Sequence, residues 1–180
     1  MKKVIVVTSS PRKGGNSEVL AQQFVEGAKA AGNDVRLIAV RDIGLQFCTG
    51  CMVCQTHKKC VLGDKMNELY DAFQNADVLV FATPIYYYAV SGQLKTLLDR
   101  LNPLYTRENK FKEVYLLTTA ADDADSAADG AVKDIQGWID CFEGVALGGV
   151  LRGMGVTEKG EINNTDYPQK AYEMGKSIIG

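Results

Sequence analysis

The sequence lacks the features that mark several large classes of protein. Its net charge of −2 gives no electrostatic basis for binding nucleic acid or an anionic membrane surface. No apolar run approaches the roughly 20 residues that cross a bilayer. The N-terminus enters an apolar segment without a leader-type apolar region or cleavage site. We therefore expect a cytoplasmic protein with no nucleic-acid and no membrane partner.

Two well-known glycine-rich phosphate loops are absent as well. GxGxxG does not occur, and GxxxxGK[ST] is missing because the single Gly-Lys pair, Gly175-Lys176, follows no predicted strand. Internal repeats, low-complexity tracts and linkers are also absent. We therefore expect residues 1–180 to form one domain. No side chain stands out as a catalytic acid or base, and the single histidine, His57, is expected at the surface.

What the sequence does contain is an alternation of apolar runs and helical patterns. Continuous apolar runs are typical of strands buried on both faces of a parallel sheet. The pattern therefore predicts an α/β fold, a doubly wound five-stranded parallel sheet with helices on both faces. The predicted strands are Val4–Thr8, Val35–Val40, Ala76–Thr83, Val114–Thr119 and Gly144–Leu151. The predicted helices are Ser17–Ala31, Lys65–Gln74, Ser91–Leu101, Ala131–Phe142 and Pro168–Ile179.

A polar loop joins the first predicted strand to the first helix. It runs from Thr8 to Ser17 and contains hydroxyls, Arg12 and two glycines. Free N–H groups and the positive end of the helix point at this loop, which makes it suitable for a phosphate. A hydroxyl-rich loop with few glycines is typical of a terminal monophosphate site. The alternative is an ordinary strand-to-helix turn with polar side chains.

The segment Pro84–Tyr88 follows the third strand and is predicted to be a loop. Its three consecutive tyrosines would need partners for three hydroxyls if they were all buried. One interpretation is that the backbone of Pro84–Tyr87 lies along a flat aromatic ligand at the sheet's carboxyl edge, where such folds bind ligands. The other is that the tyrosines form a subunit contact, where tyrosine is common.

Four of the five cysteines lie close together in an irregular segment, predicted as a Cys-rich insertion at about residues 41–63. Three thiols at such short spacing, with a fourth nearby, can ligate one [4Fe–4S] cluster. Free thiols, a redox disulfide and a zinc site are the alternatives. Cys141 is expected in the core beside Trp138. The four clustered positions are Cys48, Cys51, Cys54 and Cys60.

Three segments together resemble a known family. They are SSPRKGGNS at 9–17, CTGCMVCQTHKKC at 48–60 and ATPIYYYAVSGQLKTLLDR at 82–100. The chain resembles the flavodoxin-like NAD(P)H-dependent FMN reductases, and in particular the iron-sulfur flavoproteins. The resemblance implies a non-covalently bound FMN. Its phosphate would be bound by Ser9, Ser10, Arg12, Asn16 and Ser17. Its ring would be flanked by Pro84, Ile85, Tyr86 and Tyr87 on one side, and by Thr119, Ala120, Ala121 and Asp122 on the other.

The resemblance also implies a function. The expected protein is an FMN-dependent oxidoreductase that takes electrons from a reduced donor such as NAD(P)H and passes them to a small-molecule or protein acceptor. The Cys motif would hold a [4Fe–4S] cluster if one is present. A homodimer or homotetramer is expected, because a neighbouring subunit usually completes the exposed flavin site in that family. The alternatives are an electron carrier that serves protein partners such as a ferredoxin, and a flavin-free binding module.

Overall fold

A computed structural model describes residues 1–179 and contains one sheet. Its five parallel strands run in the order β2-β1-β3-β5-β6, and the short β4 pairs antiparallel with the end of β3. Apart from β4, this is the flavodoxin-like strand order, and the predicted fold class is confirmed. The strands are β1 (Lys3–Thr8), β2 (Asp34–Ala39), β3 (Val78–Tyr86), β4 (Ala89–Val90), β5 (Glu113–Thr119) and β6 (Ala146–Gly153).

Helices cover both faces of the sheet. Within residues 1–179, none of them has the length and apolarity that spanning a bilayer requires. Single turns of 3₁₀ helix lie between the main elements at Val40–Asp42, Lys65–Glu68, Asn102–Thr106, Asp125–Ala128 and Glu161–Asn164. The α-helices are α1 (Asn16–Ala30), α2 (Val53–His57), α3 (Tyr70–Gln74), α4 (Gly92–Arg100), α5 (Asp129–Ile139) and α6 (Tyr167–Lys176).

The alternation of side chains along β1 divides the core into two layers. Val4 and Val6 pack with residues of α1 and α6 on one face. Ile5 and Val7 pack with residues of α3, α4 and α5 on the other. Since every second residue of a strand points to the same face, the apolar run that predicted β1 supplies both layers.

Two glycines let α1 and α6 pack at very short range. A Cβ atom built on Gly27 would lie 1.9 Å from the carbonyl oxygen of Tyr172, and one built on Gly175 would lie 2.1 Å from that of Phe24. No real side chain fits at such distances. This contact fixes α1, and with it the direction in which the helix N-terminus points.

The prediction that Pro84–Tyr88 is a loop is wrong. β3 continues through Pro84 to Tyr86, and Tyr86 pairs with Ala89 of β4 in a hairpin. The proline is tolerated because β1 pairs with β3 only as far as Ala82. Beyond that point β3 has an open edge, where a missing N–H breaks no ladder hydrogen bond.

The predicted helix Lys65–Gln74 is divided in two. A 3₁₀ turn, started by Asp64 accepting the amide of Met66 at 3.2 Å, is followed by the separate helix α3. Asp64 has a second role in the fold. Its side chain and that of Arg100 are 6% and 1% exposed and form a two-pronged ion pair at 2.5 and 2.8 Å. This ion pair joins α4 to the end of the cysteine-rich stretch at residues 41–63, which we call the Cys segment.

Candidate functional site

The loop between β1 and α1 forms an anion-binding arrangement. Gly15 is the helix N-cap, with φ −70° and ψ 163°, and its side-chain-free backbone leaves the first turn open. The amides of Asn16, Ser17 and Glu18 belong to this first turn, so they have no partner within the helix. These N–H groups and the helix dipole favour a negatively charged group.

The Ser17 hydroxyl is an unpartnered polar group within this arrangement. Ser17 is 1% exposed, and its Oγ atom is buried without a hydrogen-bond partner. A buried hydroxyl without a partner loses about 1–3 kcal/mol of hydrogen-bonding free energy. Because Ser17 also lines a surface cleft, a phosphate oxygen placed there would supply the missing partner. The residues present therefore fit an FMN phosphate.

The shape of the loop depends on two glycines and one serine. Gly14 has φ +70°, a conformation that favours glycine. Ser10 Oγ donates to the carbonyl oxygen of Arg12 at 3.0 Å and accepts from its amide at 3.2 Å. A Cβ atom on Gly15 would lie 2.6 Å from Ser10 Oγ. The loop is therefore too tightly folded to admit a side chain at this position.

An ion pair behind the loop holds Gly14. The Gly14 amide donates to Glu18 Oε2 at 2.7 Å, and Arg41 binds the same carboxylate through both terminal nitrogens at 3.0 and 2.8 Å. Burial by itself would raise the pKa of Glu18, but the hydrogen bonds from Arg41 and Gly14 outweigh it and lower the pKa. Glu18 is therefore ionised at neutral pH and anchors the loop.

The hairpin formed by β3 and β4 lies beside the β1–α1 loop, and both form walls of the same cleft. Pro84 and Ile85 are half-buried, and Tyr86 is 41% exposed. The two turn residues, Tyr87 and Tyr88, have φ of +50° and +62°, which costs about 1–2 kcal/mol for each residue that is not glycine. Strain of this kind is found where surrounding contacts impose a conformation, often at functional sites.

The loops after β5 and β6 form the remaining walls. They are joined by two backbone hydrogen bonds, from Gly155 N–H to Asp122 at 3.0 Å and from Val156 N–H to Ala120 at 2.8 Å. Val156 and Thr157 line the cleft and were missed by sequence reasoning. Their position after the carboxyl end of the fifth parallel strand was the signal that could have found them.

These walls surround one open cleft of about 180 Å³. Ten of the thirteen residues predicted for the cofactor line it, and Ser9, Tyr87 and Asp122 do not. A cleft below the roughly 300 Å³ typical of ligand pockets cannot enclose a large ligand. A flat ring held here would keep one face open. The predicted residues that line the cleft are Ser10, Arg12, Asn16, Ser17, Pro84, Ile85, Tyr86, Thr119, Ala120 and Ala121.

Ser9 and Tyr87 lie elsewhere for clear physical reasons. Ser9 is 1% exposed. Its Oγ donates to the carbonyl oxygen of Ala82 at 3.2 Å and accepts from Ser91 Oγ at 2.9 Å. The Ser9 hydroxyl thus fastens β1 to β3 and to the N-terminus of α4. The Tyr87 side chain is 99% exposed at the tip of the hairpin.

Asn16 lines the cleft, but its amide group contacts the loop after β6. Its Nδ2 donates to the carbonyl oxygen of Glu158 at 2.9 Å, and its Oδ1 accepts from the Ile162 amide at 3.3 Å. Arg12 contacts the same loop, donating to the Thr157 carbonyl oxygen at 3.3 Å. The Asn16 backbone amide, rather than its side chain, is the group left for a phosphate.

The four clustered cysteines are free thiols with different exposures. Cys48 and Cys51 are exposed, Cys54 is buried and Cys60 is half-buried. Burial raises the pKa of Cys54, and the nearby thiols of Cys60 and Cys48 raise it further. The exposed Cys51 differs, because hydrogen bonding by the Val53 amide lowers its pKa. The four thiols therefore lie in different environments, with Cys54 the most buried and Cys51 exposed to solvent.

This arrangement does not fit a four-thiolate cluster site as it stands. Within residues 1–179, no three side chains of His, Cys, Asp or Glu are gathered around a common point as metal ligands are. His57 is exposed, as predicted, and its Nδ1 lies 3.3 Å from the Val53 carbonyl oxygen. Cys141 was expected in the core. It is exposed instead, because α5 ends at Ile139 before reaching it.

Known proteins resemble this chain in sequence and in fold. An iron-sulfur flavoprotein from Archaeoglobus fulgidus is 27% identical over 179 residues, which cover 98% of this chain and 78% of that protein. The structure of an NAD(P)H:quinone oxidoreductase from Methanothermobacter marburgensis matches with a TM-score of 0.72 and 16% identity, over 98% of each chain. An FMN-dependent NADH-azoreductase from Bacillus anthracis, solved with FMN, matches with a TM-score of 0.71 and 14% identity, over 99% of this chain and 100% of that one.

The structural matches show the shared flavodoxin-like fold. The sequence comparison goes further, because the model of the family described as NADPH-dependent FMN reductase matches residues 2–149. The predicted resemblance is thus confirmed, and so is the prediction of an FMN-dependent oxidoreductase. The chain belongs to the NADPH-dependent FMN reductase family.

Proposed function

We propose that the cleft binds FMN and that the protein transfers electrons from a reduced nicotinamide through FMN to an acceptor. The observation that carries this proposal is the buried, unpartnered Ser17 hydroxyl in the first turn of α1. Ser17 lines the same cleft as the hairpin residues and the loop after β5. The phosphate would occupy the first-turn amides, Ser17, Ser10 and Arg12. The ring would lie between Pro84–Tyr86 and Thr119–Ala121.

When bound, FMN supplies the capacity to accept electrons from one partner and release them to another. The role of the chain's own residues is to bind FMN and to orient its ring. The α1 amides and the Ser17 hydroxyl would bind the phosphate, while Pro84 and Ile85, which are half-buried, would contact one face of the ring. Backbone N–H groups of the loops that follow β3 and β5 would tune the electronic properties of the ring by hydrogen bonding to it.

The open side of the cleft provides access for the electron donor and acceptor. Tyr86 is 41% and Tyr87 is 99% exposed beside it, so a nicotinamide or a flat aromatic acceptor can approach the free face of the ring. The family's description supplies NADPH as the donor class. We propose small, flat, conjugated acceptors such as quinones, the substrate class in the name of one structural neighbour.

Flavin titration tests the site. Purified protein is stripped of flavin, and FMN and riboflavin affinities are measured by fluorescence quenching. Ser17→Ala should weaken FMN binding about tenfold, as expected for a lost hydrogen bond to a charged group, and leave riboflavin binding unchanged. Ser177→Ala, which removes an exposed hydroxyl bonded to the Met174 carbonyl oxygen, is the matched control. Equal losses for FMN and riboflavin would contradict a phosphate role for Ser17.

Steady-state kinetics tests the reaction. The FMN-loaded protein should oxidise NADPH or NADH in the presence of a quinone. A protein that binds FMN but turns over neither nicotinamide would refute the proposed donor. Fast reduction by a ferredoxin in that case would favour the second candidate, an electron carrier that serves protein partners.

The short spacing of Cys48, Cys51, Cys54 and Cys60 along the chain keeps a cluster-containing carrier as that second candidate. A [4Fe–4S] cluster on these residues would require the segment to rearrange. Anaerobic purification with iron and sulfide analysis decides this: about four irons per chain would support the cluster, and flavin without iron would exclude it. Light scattering of the same preparation tests the proposed homodimer or homotetramer.

A further inference from the structure

The turn that carries Tyr87 and Tyr88 is held in a conformation that its own sequence disfavours. The hairpin pairs Tyr86 with Ala89, which leaves a two-residue loop, and both loop residues have positive φ. Two-residue loops of this type favour Asn-Gly or Gly-Gly, since a side chain crowds the backbone there. Contacts from outside the turn must therefore hold it.

Helix α5 supplies two such contacts. A Cβ atom built on Gly130 would lie 2.0 Å from the Tyr88 carbonyl oxygen, so only glycine admits the turn at this distance. One helical turn further on, Asp134 Oδ2 accepts the amide hydrogen of Val90, in β4, at 3.2 Å. The helix thus holds the hairpin on both sides of Ala89.

A third contact joins the turn to the opposite wall of the cleft. The Tyr88 hydroxyl donates to Asp122 Oδ2 at 3.1 Å. Asp122 directly follows Ala121, which lines the cleft, and its own carbonyl accepts from Gly155. The position of the hairpin therefore sets the width of the space between the two walls.

We propose that Gly130 and Asp134 are positioning residues of the flavin site, although neither lines the cleft. By fixing the strained turn they hold Ile85 and Tyr86, which extend past the last β3–β5 ladder pair of Pro84 with Thr119, in the position that a flat ring requires. The inference rests on the proposed FMN function. It assigns to α5 a role in cofactor binding that is separate from its role in the core.

The test compares Asp134→Ala and Gly130→Ala with Lys133→Ala, an exposed position on the same helix. Two quantities are measured: hydrogen exchange of the Val90 amide in flavin-free protein, and the dissociation constant for FMN. Asp134→Ala should lower Val90 protection about tenfold and weaken FMN binding about fivefold. Lys133→Ala should change neither quantity. Should Gly130→Ala fail to fold, Asp134→Ala still decides the outcome.

A rescue experiment separates positioning from general destabilisation. The double variant Asp134→Ala/Tyr87→Gly removes strain at one turn position. It should reverse at least half of the increase in the FMN dissociation constant that Asp134→Ala causes. Reduced Val90 protection with wild-type FMN affinity would overturn the proposal, because the contact would then be structural only. Failed rescue, or Asp134→Ala matching Lys133→Ala in both measurements, would overturn it too. If the wild-type protein binds no FMN, the proposed function itself fails, and the positioning role fails with it.

Discussion

The ion pair between Glu18 and Arg41 leads to the sharpest prediction about the phosphate loop. The two side chains are 7% and 20% exposed, so solvent screens their attraction only in part. Glu18→Ala removes the acceptor of the Gly14 amide and leaves the mostly buried Arg41 guanidinium with only the Ser10 carbonyl oxygen and the exposed carboxylate of Asp42 within reach. Losing hydrogen bonds between charged groups and weakening the pairing of a partly buried charge should lower the free energy of unfolding by about 3 kcal/mol.

The same substitution should weaken FMN binding. Without Glu18, the backbone at Gly14 is free in the flavin-free protein and must be ordered when FMN binds. Ordering one residue costs about 1–2 kcal/mol, or roughly a tenfold increase in the FMN dissociation constant. Glu18→Gln keeps an oxygen that can accept from Gly14, so the loss of affinity should be smaller than for alanine.

Urea denaturation and FMN titration of the two variants and of Arg41→Gln measure these effects. Acid unfolding tests the direction in which the contribution of Glu18 to stability changes with pH. The pKa of Glu18 is lowered from 4.5 in the folded state. Its stabilising contribution should therefore be complete above pH 4.5 and fall as the pH drops through the folded value. Glu18→Gln should lack this component. A variant with the wild-type urea midpoint and FMN affinity would refute the proposed anchoring of the loop.

Two further predictions concern the framework of the site. Gly27→Ala should destabilise the fold by about 2–3 kcal/mol, because its Cβ would meet the Tyr172 carbonyl oxygen. The control is Gly137→Ala on α5, which has no atom within 4 Å and should be neutral or stabilising by up to about 1 kcal/mol. Thermal unfolding compares the two variants, and equal melting temperatures would contradict the close packing of α1 and α6. Asp64→Ala should lower the free energy of unfolding by about 3–5 kcal/mol, since it leaves the buried Arg100 unpaired. Urea denaturation measures this loss. A urea midpoint within error of the wild type would show that water or another group replaces the carboxylate.

The fold was largely predictable because its strands are buried on both faces. Such strands are continuous apolar runs, and helices with clear periodicity separate them. The end of β3 was not predictable in the same way. Pro84 signals the end of a strand by its local preference, although tyrosine itself favours strands. What keeps them in a hairpin is the open edge beyond Ala82 and the contact with Gly130, and both are tertiary.

In the candidate site, too, some residues could be predicted from local sequence and others depend on tertiary contacts. Residues at the carboxyl ends of β1, β3 and β5 could be predicted, because a doubly wound sheet gathers those ends at one edge. The role of Glu18 could not, because an acidic residue in a first helical turn is common for its interaction with the helix dipole alone. Its partner Arg41 lies 23 residues away and becomes visible only in three dimensions. For Ser9, the pattern indicated a phosphate ligand, and the fold uses its hydroxyl between strands.

The cleft and the Cys segment differ in how firmly the chain holds them. Hydrogen bonds link the walls of the cleft into a continuous rim, so flavin binding has little backbone left to order. In the Cys segment, Asp64 and Arg100 bond the amide and the carbonyl of Gln46, and Asn67 bonds both the amide and the carbonyl of Cys60. The first half of this segment carries exposed Cys48 and Cys51, with positive φ at Gly50 and Met52. Any rearrangement that gathers the four thiols should therefore occur around residues 48–52 and leave the cleft unchanged. Metal loading and flavin affinity should then be independent of each other in the isolated chain.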